Sequence, residues 1–339
     1  MIEKAASATI ILILALFLLS SCDAGIKRER KTYLISVSSD YRDQDASVLY
    51  APNHDQYGLA RQVLALDDNA EEVLFMSSCG RRYIMSTDGF GYTLPDPGKR
   101  TKTALDILPH KEYSWSSADV LACISEIASN AGEDDLILFQ YSGHGAEGTG
   151  EMVFSAKTSS KQLRITDSVS PAELLNAFAG TEGTVLIIMD SCYSGSYIKE
   201  NVLADGSVFT KNGNTEEFSS IGYLEGMGTA LNMLQGADRR TNPNIYVIAA
   251  SSESQTSWDS DPSLYKVGTA KEERFGGFTY YLLKALGYDP LEDEPHMKAE
   301  RITLYGLYDD IWNSMRPSHR KAATPLTTLS PLDIILFNP

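Results

Sequence analysis

Two short motifs contain the residues best suited to covalent chemistry. His144 lies in the motif Ser-Gly-His-Gly, and Cys192 lies in the motif Asp-Ser-Cys-Tyr-Ser-Gly, 48 residues further along the chain. A thiol is a strong nucleophile only as the thiolate, and an imidazole can remove its proton and later protonate a leaving group. If the fold brings the two together, they predict nucleophilic catalysis by Cys192 with His144 as acid and base.

Each motif follows a continuous apolar run, at 136–141 before the histidine and at 184–189 before the cysteine. Such runs are typical of strands buried on both faces of a parallel sheet. Pro171–Ala179 lies between them and is predicted to form the crossover helix, with Ser170 as its cap. Because active sites of such sheets gather at the carboxyl ends of the strands, we expect both motifs at one edge.

The wider pattern predicts an α/β fold, a three-layer sandwich around a mostly parallel sheet. Hydrophobic residues make up 43% of the chain, which is enough to bury a core and excludes a disordered protein. Hydrophobic periodicity predicts further strands at 33–38, 83–87 and 245–250. It also predicts helices at 59–75, at 117–131 with Ser117 as N-cap, at 277–286 and at 303–315.

The N-terminus contains an apolar run, Ile10–Leu19, followed by Ser-Ser and Cys22. The run is shorter than the roughly 20 residues of a membrane-spanning helix and matches the apolar part of a secretory signal. Small residues before a cysteine resemble the lipobox of bacterial lipoproteins. The resemblance implies a signal peptide at 1–21, a lipidated Cys22, a tether at 22–32, and export to the periplasmic face or the cell surface. An ordinary secretory signal with an incidental cysteine is the alternative.

The net charge indicates which partners to expect, and the number of cysteines indicates which kind of thiol. The formal net charge is −16, and an acidic surface excludes nucleic acid as the expected partner. Cys79, Cys123 and Cys192 would remain after processing, and an odd number indicates at least one free, reactive thiol. Cys79 and Cys123 have apolar neighbours and are expected to be buried thiols. No pair of cysteines has the spacing of a metal site.

The order of the two strand–motif units resembles the caspase-like superfamily of cysteine peptidases, in particular its metacaspase and bacterial branches. The likeness covers nearly all of 33–337 and includes a helix at DDNAEEVL, the segment IAASSESQTSW and the helix GGFTYYLLKAL. It implies that Cys192 is the nucleophile, His144 the general acid and base, and the backbone N–H groups of Gly145 and Cys192 the oxyanion donors. It also implies a peptidase domain at 33–339 with a processing loop at 198–243.

The resemblance further implies how a substrate is selected. Metacaspases bind a P1 Arg or Lys through carboxylates, and this role carries over to Asp190, with Ser142 in the same pocket. A second family acid lies in a Cys-x-Asn-Asp-Ala stretch that aligns with LDDNA at 66–70. Asn69 takes the place of that acid, so Asp68 beside it is the expected substitute. Asp190 has an alternative role, as a strand-end carboxylate bonded to backbone amides.

These features predict an endopeptidase that cleaves protein substrates after Arg or Lys through a thioester, attached to a membrane by its N-terminal lipid. No cofactor is expected. Calcium activation is not expected either, because the acids between the two motifs include no paired-Asp cluster. Arg240, Arg239 and Lys211 are the predicted self-cleavage sites. The alternatives are a peptidase with a non-basic P1 preference and a lipoprotein that keeps the fold without turnover.

Overall fold

The computed structural model describes residues 29–41, 44–78, 81–86, 116–159, 162–200, 244–328 and 333–338. Its helices and strands belong to Lys31–Pro339, which forms one unit. The strands are β1 (Thr32–Ser39), β2 (Glu71–Ser78), β3 (Arg81–Ser86), β4 (Leu136–Ser142), β5 (Met152–Ser159), β6 (Gln162–Val169), β7 (Thr184–Asp190), β8 (Ile245–Ala249), β9 (Ile302–Thr303), β10 (Leu326–Thr327) and β11 (Ile335–Phe337). The helices are α1 (Pro52–Leu66), α2 (Ser117–Asn130), α3 (Pro171–Ala177), α4 (Ser196–Glu200), α5 (Gly277–Leu286), α6 (Leu304–Ser314) and α7 (Pro317–Ala322).

The central sheet has the strand order β10-β8-β7-β4-β1-β2-β3. The five strands from β8 to β2 run parallel, whereas β10 and β3 pair antiparallel at the two edges. Strands β4 and β7 are neighbours, with Ser142 opposite Asp190 at their last paired position. The two strands that carry the sequence motifs therefore end side by side at one edge of the sheet.

Helices cover both faces of this sheet, which confirms the predicted three-layer α/β fold. Helices α1, α5 and α6 pack on the face that holds Leu138 and Ile188, and α2, α3 and α4 pack on the face that holds Phe139 and Ile187. Every residue of β4 is buried because successive side chains enter opposite layers. Each large apolar side chain buried in this way contributes about 1.5–3 kcal/mol to folding.

The helix predicted at 59–75 is wrong at both ends. Helix α1 begins at Pro52 and ends at Leu66, and Val73 and Leu74 lie in strand β2. The helix ends because Asp67 adopts an extended conformation and its carboxylate accepts a hydrogen bond from the N–H of Asn69. This local bond favours a turn over another helical turn. The helix expected at DDNAEEVL is wrong for the same reason.

Two further differences concern the elements around the motifs. The N-cap of α2 is Ser116, not Ser117, and it forms a capping box with Asp119. Strands β5 and β6 form an antiparallel hairpin between the two motifs that the sequence did not predict. The predicted strands at 33–38, 83–87 and 245–250 and the helices at 171–179, 277–286 and 303–315 match elements of the structure within a few residues.

The predicted signal peptide at 1–21, Cys22, and most of the tether and of the 198–243 loop lie outside the described residues. Among the helices of the described part of the chain, none is long and apolar enough to cross a membrane.

Candidate active site

His144 and Cys192 line one pocket at the carboxyl ends of β4 and β7, together with Ser142 and Asp190. The turns that follow the two strands touch through their backbones. A Cβ atom on Gly145 would lie 1.9 Å from the carbonyl oxygen of Cys192, so a side chain at position 145 would push the turns apart. The backbones of Gly145 and Cys192, which carry the predicted oxyanion donors, are therefore adjacent.

The imidazole of His144 is held on one side by a backbone carbonyl. Its Nε2 atom lies 2.7 Å from the carbonyl oxygen of Ser47. Because a carbonyl only accepts hydrogen bonds, Nε2 carries the hydrogen and Nδ1 keeps its lone pair in the neutral ring. Burial lowers the pKa of His144, against the bond to Ser47, which raises it. The ring is thus a neutral base near neutral pH.

The thiol of Cys192 is half-buried, and its Sγ atom lies 3.8 Å from the carbonyl oxygen of Ser257. Burial raises the pKa of Cys192, with the carboxylate of Asp190 adding to the effect. The resting thiol is therefore protonated, and its activation requires a base. Tyr193, the next residue, has a φ of 58°, a left-handed conformation that turns the chain sharply away from β7.

Two carboxylates form the inner end of the pocket. Asp55, on the first turn of α1, accepts hydrogen bonds from the Ser142 hydroxyl at 2.6 Å and the Gly276 N–H at 2.7 Å. Asp190 accepts from the hydroxyl of Thr279 at 2.7 Å and from its N–H at 3.1 Å. A Cβ atom on Gly276 would lie 2.6 Å from the Asp190 carboxylate and 2.9 Å from that of Asp55. The two carboxylates therefore border the same small volume.

Negative charge on these two carboxylates is energetically unfavourable because both groups are buried away from water. Burial raises the pKa of Asp55 well above its usual value, and the nearby Asp190 raises it further. Burial likewise raises the pKa of Asp190, to about 6, against its bonds to Thr279. Within the described ranges, no lysine or arginine forms an ion pair with either carboxylate. The hydrogen bonds to the two carboxylates therefore offset only part of the cost of burying them.

Asp68 is not part of this pocket, which corrects the sequence prediction. It lies in the exposed turn after the C-terminal end of α1, where it accepts a hydrogen bond from the Asn69 side chain. Asp55 lies near the other end of α1, separated from the last helical residue, Leu66, by about 17 Å at a rise of about 1.5 Å per residue. Asp55, and not Asp68, is therefore the carboxylate that lines the pocket together with Asp190. The Ser142 hydroxyl is directed to Asp55.

The sequence also gave no indication of Ser47 or of Asp259, both of which support the site. Asp259 accepts hydrogen bonds from the N–H groups of Tyr50 and Ala51, immediately before α1. It therefore holds the two residues that lead into the helix that carries Asp55. Pro52 followed by Asn53, His54 and Asp55 is a pattern typical of a helix start and could have indicated that Asp55 lies in a first helical turn.

Other predicted residues cannot be placed. Cys22, Lys211, Arg239 and Arg240 lie outside the described residues. Within the part of the chain that is described, no group of three His, Cys, Asp or Glu side chains is arranged to hold a metal ion.

The sequence model of the Caspase domain family matches residues 111–296, more than half of the chain and both motifs. No curated protein matches the sequence. Among solved structures, the chain is similar to the protein GSU0716 from Geobacter sulfurreducens, with 14% sequence identity and a TM-score of 0.44. That similarity covers 90% of this chain and 99% of the other.

Proposed function

The chain belongs to the Caspase domain family, and on that basis we propose that it is a cysteine endopeptidase that cleaves after Arg or Lys. One observation carries the proposal: a thiol, an imidazole and two buried carboxylates line a single pocket. The thiol and imidazole supply the chemistry, and the carboxylates supply the specificity.

In the proposed mechanism, His144 removes the proton of the Cys192 thiol as the sulfur attacks the carbonyl carbon of the substrate. The N–H groups of Gly145 and Cys192 stabilise the oxyanion that forms, a contribution typically of about 10²–10³ in rate. The imidazolium then protonates the leaving amine, which leaves a thioester on Cys192. Water, deprotonated by His144, hydrolyses the thioester and restores the thiol.

The P1 side chain would enter between Asp55 and Asp190. A guanidinium or ammonium group there would replace lost hydration with charge-assisted hydrogen bonds, which are among the strongest in proteins. An acidic P1 side chain would meet two carboxylates and be repelled. The charge and burial of the two carboxylates therefore favour basic over acidic substrates.

A panel of acyloxymethyl-ketone probes with Arg, Lys, Asp or Leu at P1 tests the proposal. The Arg and Lys probes are expected to label Cys192, as located by mass spectrometry. Preferential labelling by the Leu or Asp probe would support the peptidase with a different P1 preference. Protein that no probe labels and that cleaves no peptide would support a fold retained without turnover.

The carboxylate pair predicts a specific pH dependence. Because both pKa values are raised, acidification protonates the pair and removes the charge that binds P1 Arg. The ratio of kcat/KM for an Arg substrate to that for a matched neutral substrate should fall as the pH falls through about 6. Effects of His144 and Cys192 cancel in this ratio, since both substrates use the same dyad. A ratio that is constant across this range would contradict the assignment.

We also propose that the protein is lipidated on Cys22 and held on a membrane outside the cytoplasm. The mature protein is then expected in the detergent phase of a phase separation, and Cys22→Ser should move it to the aqueous phase or block processing. Two or three acyl chains give stable anchoring where one is marginal. An unmodified N-terminal peptide in mass spectrometry, with unchanged partitioning, would contradict the proposal.

Self-processing follows if the enzyme cleaves after basic residues. Lys211, Arg239 and Arg240 lie in the long segment between α4 and β8, and long connections are common sites of cleavage. Purified wild-type protein should yield two fragments that meet near Arg240, and Cys192→Ala should stay whole. Fragments that persist in Cys192→Ala would show that another protease makes the cut.

A further inference from the structure

The backbone of His144 is held by two buried tyrosines whose role the dyad alone does not explain. Tyr41 follows β1 and Tyr141 lies in β4, and both side chains are almost completely buried. Their hydroxyl oxygens lie 3.0 Å apart. Burial raises the pKa of Tyr41 to about 12 and that of Tyr141 well above its usual value. Each hydroxyl therefore keeps its proton and can donate one hydrogen bond.

The two hydroxyls bridge His144 to Val153 in the hairpin strand β5. Tyr41 accepts a hydrogen bond from the His144 N–H at 2.9 Å and donates to the Val153 carbonyl. Tyr141 donates to the His144 carbonyl at 2.8 Å and accepts from the Val153 N–H at 3.1 Å. Each hydroxyl can donate once and accept once from an amide, and the Val153 N–H also donates directly to the His144 carbonyl at 3.1 Å.

Tyr41 also contacts the imidazole itself. The two ring centroids are 4.4 Å apart, with an angle of 36° between the ring planes. Tyr41 has a φ of 60°, a conformation that costs a non-glycine residue about 1–3 kcal/mol and persists only where surrounding contacts fix it. Strain in the backbone of a residue that contacts His144 is expected where the surrounding structure fixes the position of that histidine.

The segment after Tyr41 carries Ser47, the hydrogen-bond partner of His144 Nε2. Gln44 in this segment donates to the Phe154 carbonyl and accepts from the Ala156 N–H, which docks the segment on β5. The imidazole thus contacts the Tyr41 ring and the Ser47 carbonyl, both of which belong to one short segment. Its backbone is fixed by the two hydroxyls.

We propose that Tyr41 and Tyr141 are positioning residues that fix His144 for proton transfer with Cys192. The inference rests on the proposed function and adds two residues that touch neither the substrate nor the thiol. Loss of the Tyr41 hydroxyl should release the His144 N–H, and loss of the Tyr141 hydroxyl should leave the His144 carbonyl with the Val153 N–H as its donor. Either change should loosen His144 and lower the rate of the chemical step. A misplacement of about 1 Å in such a group can cost about 10²-fold in rate.

The test compares Tyr41→Phe and Tyr141→Phe with Tyr197→Phe. The Tyr197 hydroxyl is equally buried and accepts a hydrogen bond from the Met152 N–H on the same hairpin strand, so its loss is a matched structural control. In the first two variants we expect kcat for an Arg substrate to fall about 10- to 100-fold with little change in KM. The control should lose thermal stability to a similar extent and keep its kcat.

Alkylation of Cys192 by iodoacetamide gives a second readout that requires no substrate. Its rate at neutral pH should fall in Tyr41→Phe and Tyr141→Phe, and its pH midpoint should move toward that of an unassisted thiol. Equal losses in all three variants, or unchanged kcat and alkylation in the first two, would overturn the inference. Wild-type protein that cleaves no peptide would refute the proposed function, while the alkylation rates would still decide the role of the tyrosines.

Discussion

Replacing Cys192 by alanine is expected to abolish peptide hydrolysis, and His144→Ala should reduce it almost as far. The first change removes the atom that forms the thioester. The second leaves the thiol protonated, because burial raises its pKa. A nucleophile and its base act as a unit, and loss of either can lower kcat by about 10⁶-fold. The measurement is the initial rate of hydrolysis of a peptide with P1 Arg, with folding checked by circular dichroism.

Cys123→Ala is the matched control for this prediction. Cys123 lies in α2, and burial raises its pKa to about 11, so it is an inert thiol. Its loss should leave the rate unchanged. Full activity in Cys192→Ala or in His144→Ala would end the assignment of the dyad.

Asp55→Asn and Asp190→Asn should each lower kcat/KM for Arg and Lys substrates while sparing a neutral P1 substrate. Asparagine keeps the shape of the side chain and removes its charge. A hydrogen bond to a charged group is worth about 1.5–3 kcal/mol, which corresponds to a loss of about 10- to 150-fold. Folding should not suffer, because each change removes a buried charge that the fold holds at a cost.

Asp68→Asn serves as the control, since Asp68 lies at the far end of α1 in an exposed turn. It should have no effect on any substrate. A proportionate loss on the neutral substrate in Asp190→Asn would assign that carboxylate to supporting Thr279 at the start of α5. A preference for P1 Asp in the wild type would refute the cationic pocket altogether.

The meeting of the two motifs could be predicted from sequence because the signal is local. Strands β4 and β7 are unbroken apolar runs, and each ends directly in its motif. Long apolar runs are typical of parallel strands that are buried on both faces of a sheet. The right-handed crossover that joins two such strands brings their carboxyl ends to the same edge. Strands β4 and β7 are neighbours in the sheet, and the connection between them contains the β5–β6 hairpin as well as the crossover helix α3.

The second carboxylate could not be found in this way, because what places it is distant in sequence. Helix α1 begins at Pro52, and the residue just before it is held by Asp259, 208 residues from Ala51, which accepts a hydrogen bond from the Ala51 N–H. The local pattern from Leu59 onward showed only the apolar face of the helix and continued it into β2. The predicted helix therefore does not include Asp55, and the sequence places the second carboxylate of the pocket at Asp68.

Ser47 was missed for a related reason. Its contribution to the site is a carbonyl oxygen, which every residue has, so no residue type indicates it. Strand β5 of the hairpin that supports this region starts with three apolar residues, Met152–Phe154, and its pairing with β6 shifts register after Val153. The strict alternation of polar and apolar residues that indicates a strand is therefore missing there.

The adjacency of β7 and β8 has a consequence for the protein after processing. The predicted cut lies between these strands in sequence, yet they pair directly, with Val185–Met189 opposite Ile245–Ala249. Asp55, His144 and Cys192 would fall on one fragment, and Trp258, Asp259 and Gly276 on the other, although all six line the same pocket. The processed enzyme would be an obligate two-chain assembly that shares one sheet and one pocket. It should elute as a single species on dilution and come apart only in denaturant, with neither chain active alone.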